Sequence, residues 1–321
     1  MDNQILLLIS YMLTFCISLM FVALGGMFSE RSGVINIGLE GIMVVGGFFG
    51  LLTLSGLSNT GTPGFVIVIL TILAAIIGGM IYSLLLAVVC VQFKADQTLV
   101  GTALNLIATA VTLTATKKMS GGAATTINYD SSLFIYHPGG NPNFSINLFL
   151  FIGIIVLIIS TFVLYKLRFG LRLRSCGENP SAADSVGINV KKYRYAGVLI
   201  SGALGGLGAL AYIIPTTSTW NASTGVAGFG FLALAIMIFG QWKPLRIGII
   251  SVFFSFFLSL SYVYFGIFSA LGITVSAENG VTSELFRIIP FLVSLIVLIF
   301  SSKKSRAPKA EGIPYDKSSR W

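Results

Sequence analysis

Few residues in this chain could do chemistry, and those few sit in unusual company. The stretch Glu30-Arg-Ser-Gly-Val-Ile-Asn-Ile-Gly-Leu-Glu-Gly41 runs directly into an apolar segment, so an amide and a carboxylate go into a hydrophobic run together. Asn36 and Glu40 are four residues apart and share a face if the segment is helical. An ionisable group at membrane depth is costly and normally faces a cavity or a partner. Glu40 therefore either lines a polar path or lies near a head-group layer and pairs with Arg31. A second pattern is Thr98, Thr102, Asn105, Thr109 and Thr112, spaced four, three, four and three apart. That is one polar stripe along a helix. It could hydrogen-bond to neighbouring helices or line the route of a polar solute. Asn105 is the strongest ligand candidate, because its amide both donates and accepts.

Catalytic chemistry finds no such support. There is no Gly-x4-Gly-Lys-Ser/Thr loop to cradle a phosphate, no nucleophile elbow, and no His-Glu-x-x-His helix. No enzyme activity, cofactor or metal is expected in this chain. Its single His137 has no Cys, His or carboxylate cluster around it. Cys16 and Cys90 fall in apolar runs and Cys176 in a basic loop, so no disulfide is expected. Gly202-x-x-x-Gly206 is a small-residue surface for close helix contact, since a dinucleotide fingerprint needs a preceding strand.

The elements that must position these residues are set by composition. Of the 321 residues, 55% are apolar and 10% charged, against about 25% charged in soluble domains. The net charge of +9 sits in short connectors, whereas a nucleic-acid surface interleaves Lys and Arg with aromatics on a soluble face. Long continuous apolar runs exclude an outer-membrane barrel, whose strands alternate. The expected fold is all-α: a polytopic membrane protein with about nine helices, eight to ten being the range. The runs fall near 4–28, 36–57, 64–92, 97–116, 146–166, 194–214, 225–241, 246–268 and 284–302. The glycine-rich stretches 36–57 and 225–241 are candidates for broken or re-entrant helices, which are tolerated where backbone lines a cavity or is covered by protein. The first run has no basic leader or small-residue cleavage signal and reads as a retained helix.

Lys and Arg near span ends favour the cytoplasm. With the N-terminus outside, all 20 Lys and Arg residues except Lys117, Lys118 and Arg287 fall on the cytoplasmic side, and the C-terminus is inside. The transmembrane domain would then cover 1–302. An external loop, 117–145, is polar and turn-rich and reads as a cap or docking surface. A cytoplasmic loop, 166–194, is long enough for one or two short helices. The tail 303–321 is basic, polar and expected to be unstructured, with lysines suited to anionic head groups.

Within the cytoplasmic loop, Asn179-Pro180 can cap a short helix, with Pro at its first position, and Gly187 can end it. The run Gly177-Glu-Asn-Pro-Ser-Ala-Ala-Asp-Ser-Val-Gly-Ile188 closely resembles the coupling segment of bacterial ABC-importer permeases of the simple-sugar and nucleoside branch. The likeness extends to residues 31–41, to Gly101-Thr-Ala-Leu-Asn105 and to 228–240, and residues 34–41 look more like the nucleoside members. It implies that Gly177, Glu178, Asn179, Pro180, Ala182, Ala183, Asp184, Gly187 and Ile188 contact a separate ATPase. It also implies that Asn36, Glu40, Thr102, Asn105, Thr109 and Phe229 border a substrate path.

The resemblance further implies a bacterial inner or plasma membrane location. The partners would be an ATP-binding-cassette ATPase carrying ATP and Mg, a second homologous permease and an extracytoplasmic substrate-binding lipoprotein. The expected solute is a nucleoside, purine-type favoured, moved by alternating access. A simple sugar or riboflavin-like ligand, or an ion-coupled secondary transporter, are the alternatives.

Overall fold

The structure, a computed structural model, describes residues 2–58, 60–122, 124–270, 288, 292 and 307–316. In chain order the helices are α1 (Asp2–Arg31), α2 (Leu39–Leu57), α3 (Gly64–Ala87, continued by a π-turn over Val88–Gln92) and α4 (Gln97–Met119). After a loop come α5 (Leu148–Lys166), α6 (Arg168–Glu178), α7 (Pro180–Ser185), α8 (Val190–Thr216), α9 (Phe229–Phe239) and α10 (Pro244–Ala270). Four short strands complete the set: β1 (Thr126–Asn128), β2 (Ile135–Tyr136), β3 (Ile146–Asn147) and β4 (Thr219–Asn221).

Seven helices among the described residues are long and apolar enough to cross a bilayer, namely α1 to α5, α8 and α10. The expected span at 225–241 is instead the 11-residue α9, about half the length a full crossing needs. The expected span at 284–302 lies outside the described residues apart from isolated positions. The chain is thus a polytopic all-α membrane protein, with seven full-length helices and one half-helix in the described part.

At its centre α8 is packed by α1, α2 and α3, and its glycines permit the approach. A Cβ on Gly202 would strike Gly79 O and Ser83 Oγ, and one on Gly206 would strike Ala75 O. From the other side a Cβ on Gly46 would lie 2.6 Å from Gly206 Cα. Small residues let helices approach closely where lipid supplies no hydrophobic drive between them. By contrast α3 and α5 turn large apolar side chains outward, including Phe65, Ile69, Ile81, Phe151, Ile158 and Phe162. Such a surface suits contact with lipid or with another apolar membrane helix.

Two stretches of irregular backbone lie within this helical frame. Between α1 and α2, residues 32–38 are non-helical, and side chains satisfy them. Ser29 Oγ donates to Val34 O at 2.8 Å, Gln97 Oε1 accepts from Ile35 N–H at 2.7 Å, and Asn105 Nδ2 donates to Ile37 O at 3.0 Å. Between β4 and α9, residues 222–228 run as turns, with Gly225 and Gly228 at positive φ. Such backbone survives at membrane depth only where protein supplies its hydrogen bonds. Of the two stretches expected to be broken, 36–57 is irregular only up to Gly38 and continuous from Leu39, whereas 225–241 is half turn and half helix.

The basic connectors gather at one end of the molecule. Arg31 Nη1 lies 3.7 Å from Glu178 Oε1, and Lys94 Nζ lies 2.6 Å from Asp316 Oδ2. At the opposite end the 117–145 loop is more ordered than its turn-rich sequence suggests. β1 pairs antiparallel with β4 and β2 with β3, while Phe134 is buried and stacks on Phe149 at 5.6 Å. The tail also departs from expectation. Residues 307–316 are ordered and docked at the basic end, where Ala310 is buried and its N–H donates to Gly177 O at 2.8 Å. Backbone pairing and an alanine hold this segment, features that a composition of lysines and prolines conceals.

Candidate functional site: paired helix ends and a capped loop helix

α9 begins inside the protein, which leaves its first N–H groups without helical partners. Glu40, in the first turn of α2, supplies them: Oε1 accepts from Gly228 N–H at 2.8 Å and Oε2 from Gly230 N–H at 2.7 Å. One carboxylate thus meets the positive ends of two helices, an arrangement that favours negative charge there. Glycine is needed at 230 because a Cβ would collide with the Glu40 backbone. Glu40 is half-buried and does not pair with Arg31, which faces Glu178 instead.

Asn105 of α4 is committed in both directions. Its Oδ1 accepts from Gly41 N–H at 2.8 Å and its Nδ2 donates to Ile37 O. Asn36 is fully buried, and its Nδ2 donates to Ser201 Oγ at 2.9 Å while its Oδ1 has no hydrogen-bond partner among the described residues. Phe229 is buried between Tyr212, with ring centroids 4.0 Å apart, and Phe15 at 5.5 Å. Tyr262 extends this aromatic group, lying 5.1 Å from Phe15.

The structure therefore brings together Asn36, Glu40, Asn105 and Phe229. It sets the two threonines apart: the Thr102 hydroxyl donates to Leu99 O at 2.9 Å on an exposed face, and that of Thr109 donates to Asn105 O at 3.4 Å. Ser201, Tyr212, Phe15 and Tyr262 belong to the same neighbourhood and carry no motif. The nearest sequence signal is a hydroxyl or phenol inside an otherwise apolar run.

The far end of α9 is held as firmly. Trp242 Nε1 donates to Glu30 Oε2 at 2.5 Å, and the Arg31 guanidinium donates through Nε and Nη2 to Trp242 O, each at 3.2 Å. The Glu30 carboxylate also receives the Asn36 backbone N–H. A half-helix is thereby clamped between α2 at one end and α1 at the other.

Residues 177–188, which project as a peg around α7, stand next to that clamp. Asn179 caps α7, its Oδ1 accepting from Ala182 N–H at 3.0 Å with Pro180 at the first position, and Gly187 follows with φ of +81°. Gly177 packs so closely on the end of α1 that a Cβ would meet Arg31 O. Ala183 is buried with Cys176 and Val190, while Ala182 and Val186 are exposed at the tip. Burial pushes the Cys176 thiol up to about 11, so it is a neutral packing group. Asp184 and Ile188 border the groove beside the peg. Among the described residues no cluster of His, Cys, Asp or Glu could hold a metal ion.

Residues 8–298 match the family described as branched-chain amino acid transport system / permease component. The chain belongs to that family. Among its relatives, the nucleoside ABC transporter permease protein NupC of Lactococcus lactis subsp. cremoris is 38% identical over 98% of both chains. The guanosine ABC transporter permease protein NupQ of Bacillus subtilis is 37% identical over 96% of both. A second Lactococcus lactis protein, the nucleoside ABC transporter permease protein NupB, is 25% identical over 62% of this chain and 49% of its own. Membership makes this chain the permease component of a transport system, a transport subunit and not an enzyme.

Proposed function

We propose that this chain is the membrane-spanning subunit of an ATP-binding-cassette importer for nucleosides, purine nucleosides above all. The observation that carries the reading is the peg: a capped α7 whose neighbours Gly177 and Glu178 lock onto the end of α1, in a chain similar along its whole length to nucleoside and guanosine permeases. The basic end is cytoplasmic by the positive-inside rule, which puts the N-terminus outside and the C-terminus inside a bacterial plasma or inner membrane. The cytoplasmic partner is an ATPase that binds ATP and Mg. NupB and NupC, two nucleoside permeases from one organism, support a second, homologous permease as the other half of the pore. An extracytoplasmic binding protein would dock at the end built from β1 to β4.

The geometry suggests how a stroke travels. A push on the peg reaches Arg31 through Glu178, then Trp242 through Arg31 and Glu30, and so moves α9. α9 in turn holds Glu40, and α2 holds Asn105 of α4. Each link is a hydrogen bond or ion pair between different elements, so the helices around the site move together. The Asn36 Oδ1, without a hydrogen-bond partner among the described residues, and the Phe229–Tyr212 aromatic group are buried in this state and would meet a neutral nucleoside only when the surrounding helices part, then supplying an acceptor and a stacking surface.

The test is to purify the tagged chain from its host and identify what accompanies it, then to measure guanosine, inosine and ribose uptake in proteoliposomes with the binding protein and ATP. Co-purification of an ATPase and ATP-dependent guanosine uptake is the expected result. Uptake by the lone chain that collapses with an ionophore would replace this reading with a secondary transporter.

A further inference from the structure

We infer that residues 307–316 are a built part of the coupling unit, a strap that ties the peg to the cytoplasmic ends of α1, α3 and α8 so that they move as one. The inference rests on the ATPase-coupled reading above. The strap touches each element in turn. Ala310 N–H donates to Gly177 O of the peg at 2.8 Å, and Ile313 O accepts from Arg194 Nη1 of α8 at 2.9 Å. Glu311 packs against Glu30 and Arg31 at the end of α1. Asp316 pairs with Lys94 just beyond α3 at 2.6 Å, and Tyr315 packs on the Cys176, Ala183 and Val190 cluster under the peg.

Two observations mark this docking as built. Arg194 is 1% exposed, and its Nε and Nη2 have no hydrogen-bond partner among the described residues. The strap carbonyl is the hydrogen bond its guanidinium makes among the described residues. The docked strap thus both covers this guanidinium and supplies its acceptor, a fit between α8 and the strap that an incidental contact does not need. Gly312 adopts φ of +75° with its Cα turned against Ile35, where a Cβ would lie 2.7 Å from Ile35 Cδ1. A plain basic tail needs neither feature, and the contacts use carbonyls, an alanine, a glycine and carboxylates where head-group binding would use lysines.

The position also bears on the partner. A groove of about 410 Å³ beside the peg is lined by Asp184, Gly187, Ile188, Val190 and Lys191, and Tyr315 of the strap is part of its wall. An ATPase subunit that grips the peg therefore meets the strap as well.

The experiment uses the assembled transporter in proteoliposomes and reads solute imported per ATP hydrolysed. Two variants release the strap: a chain ending at residue 306, and full-length Gly312→Val, whose side chain fits neither the backbone nor Ile35. Both are expected to keep hydrolysing ATP while import per ATP falls about ten-fold, the size of a typical coupling between sites. Lys94→Glu is expected to lose part of the coupling and Lys94→Glu with Asp316→Lys to recover it. Unchanged import per ATP in both the truncated chain and Gly312→Val overturns the strap. Absence of ATP-dependent import by the unaltered transporter overturns the importer reading instead.

Discussion

At the scale of single residues, Glu40 decides whether α9 has a beginning. Its two oxygens take two backbone N–H groups that have no other partner in the helix, and a buried donor left unpaired costs about 1–3 kcal/mol. Glu40→Ala is therefore expected to destabilise the detergent-purified subunit by about 2–6 kcal/mol, read as a fall in thermal midpoint. Glu40→Gln keeps one acceptor and loses the charge, and should lie between. Wild-type melting in Glu40→Ala would show that α9 is held by packing alone. Asn105 invites a parallel test, since Asn105→Leu strands both Gly41 N–H and Ile37 O. Its loss should appear in folded yield as well as in transport, whereas a residue that only touches the solute would alter uptake and leave melting unchanged.

At the scale of elements, α8 and the peg make different demands. Gly206→Val pushes a branched side chain into the Ala75–Ile76 backbone, and overpacking of this kind costs about 1–3 kcal/mol or more. The expected result is lost folded protein, measured by size-exclusion profile, while the same change at Gly56, where a Cβ meets nothing, is tolerated. Glu178→Lys places a cation opposite Arg31 and should uncouple hydrolysis from import while insertion into the membrane stays normal. Normal import would remove Glu178 from the coupling path.

These elements also show how far the sequence could be read. The peg was legible because Asn, Pro and Gly at fixed offsets specify a cap, a first turn and a stop, all local in the chain. The Gly202–Gly206 surface was legible because small residues at helical spacing have one common use. The partner of Glu40 was not, because Gly228 and Gly230 lie 188 and 190 residues away and offer only backbone N–H groups. The helical pattern of the 97–112 stripe was real, but its threonines bond largely to their own backbone, an option that polar spacing alone does not reveal. The 225–241 run was counted as a span because apolar content does not record where a helix starts.

At the scale of the whole molecule, docking of residues 307–316 at the basic end is expected to depend on pH through Glu311. Burial raises Glu311 above the usual carboxylate range, with Glu30 and Arg31 facing it. A carboxyl whose pKa is raised on docking favours the docked form while it is protonated. Docking is therefore fully supported below the ordinary glutamate range and weakens as pH rises through the raised value. Limited proteolysis at Lys309 is expected to accelerate as pH rises, and Glu311→Gln should flatten that dependence. A pH-independent cleavage rate in the unaltered protein would show that Glu311 keeps one protonation state throughout.

The shortness of α9 bears on how the protein is made. Eleven residues span about 16 Å, so this segment is a poor candidate for recognition and insertion as it leaves the ribosome. Its two ends are held by Glu40 of α2 and Glu30 of α1, both made earlier in the chain, so its placement is expected to rely on those partners. The topology of everything after Trp242 is then expected to depend on a side chain synthesised some two hundred residues earlier. A reporter fused downstream of α9 should appear on both sides of the membrane when Glu40 is replaced by alanine, and on one side only in the native chain.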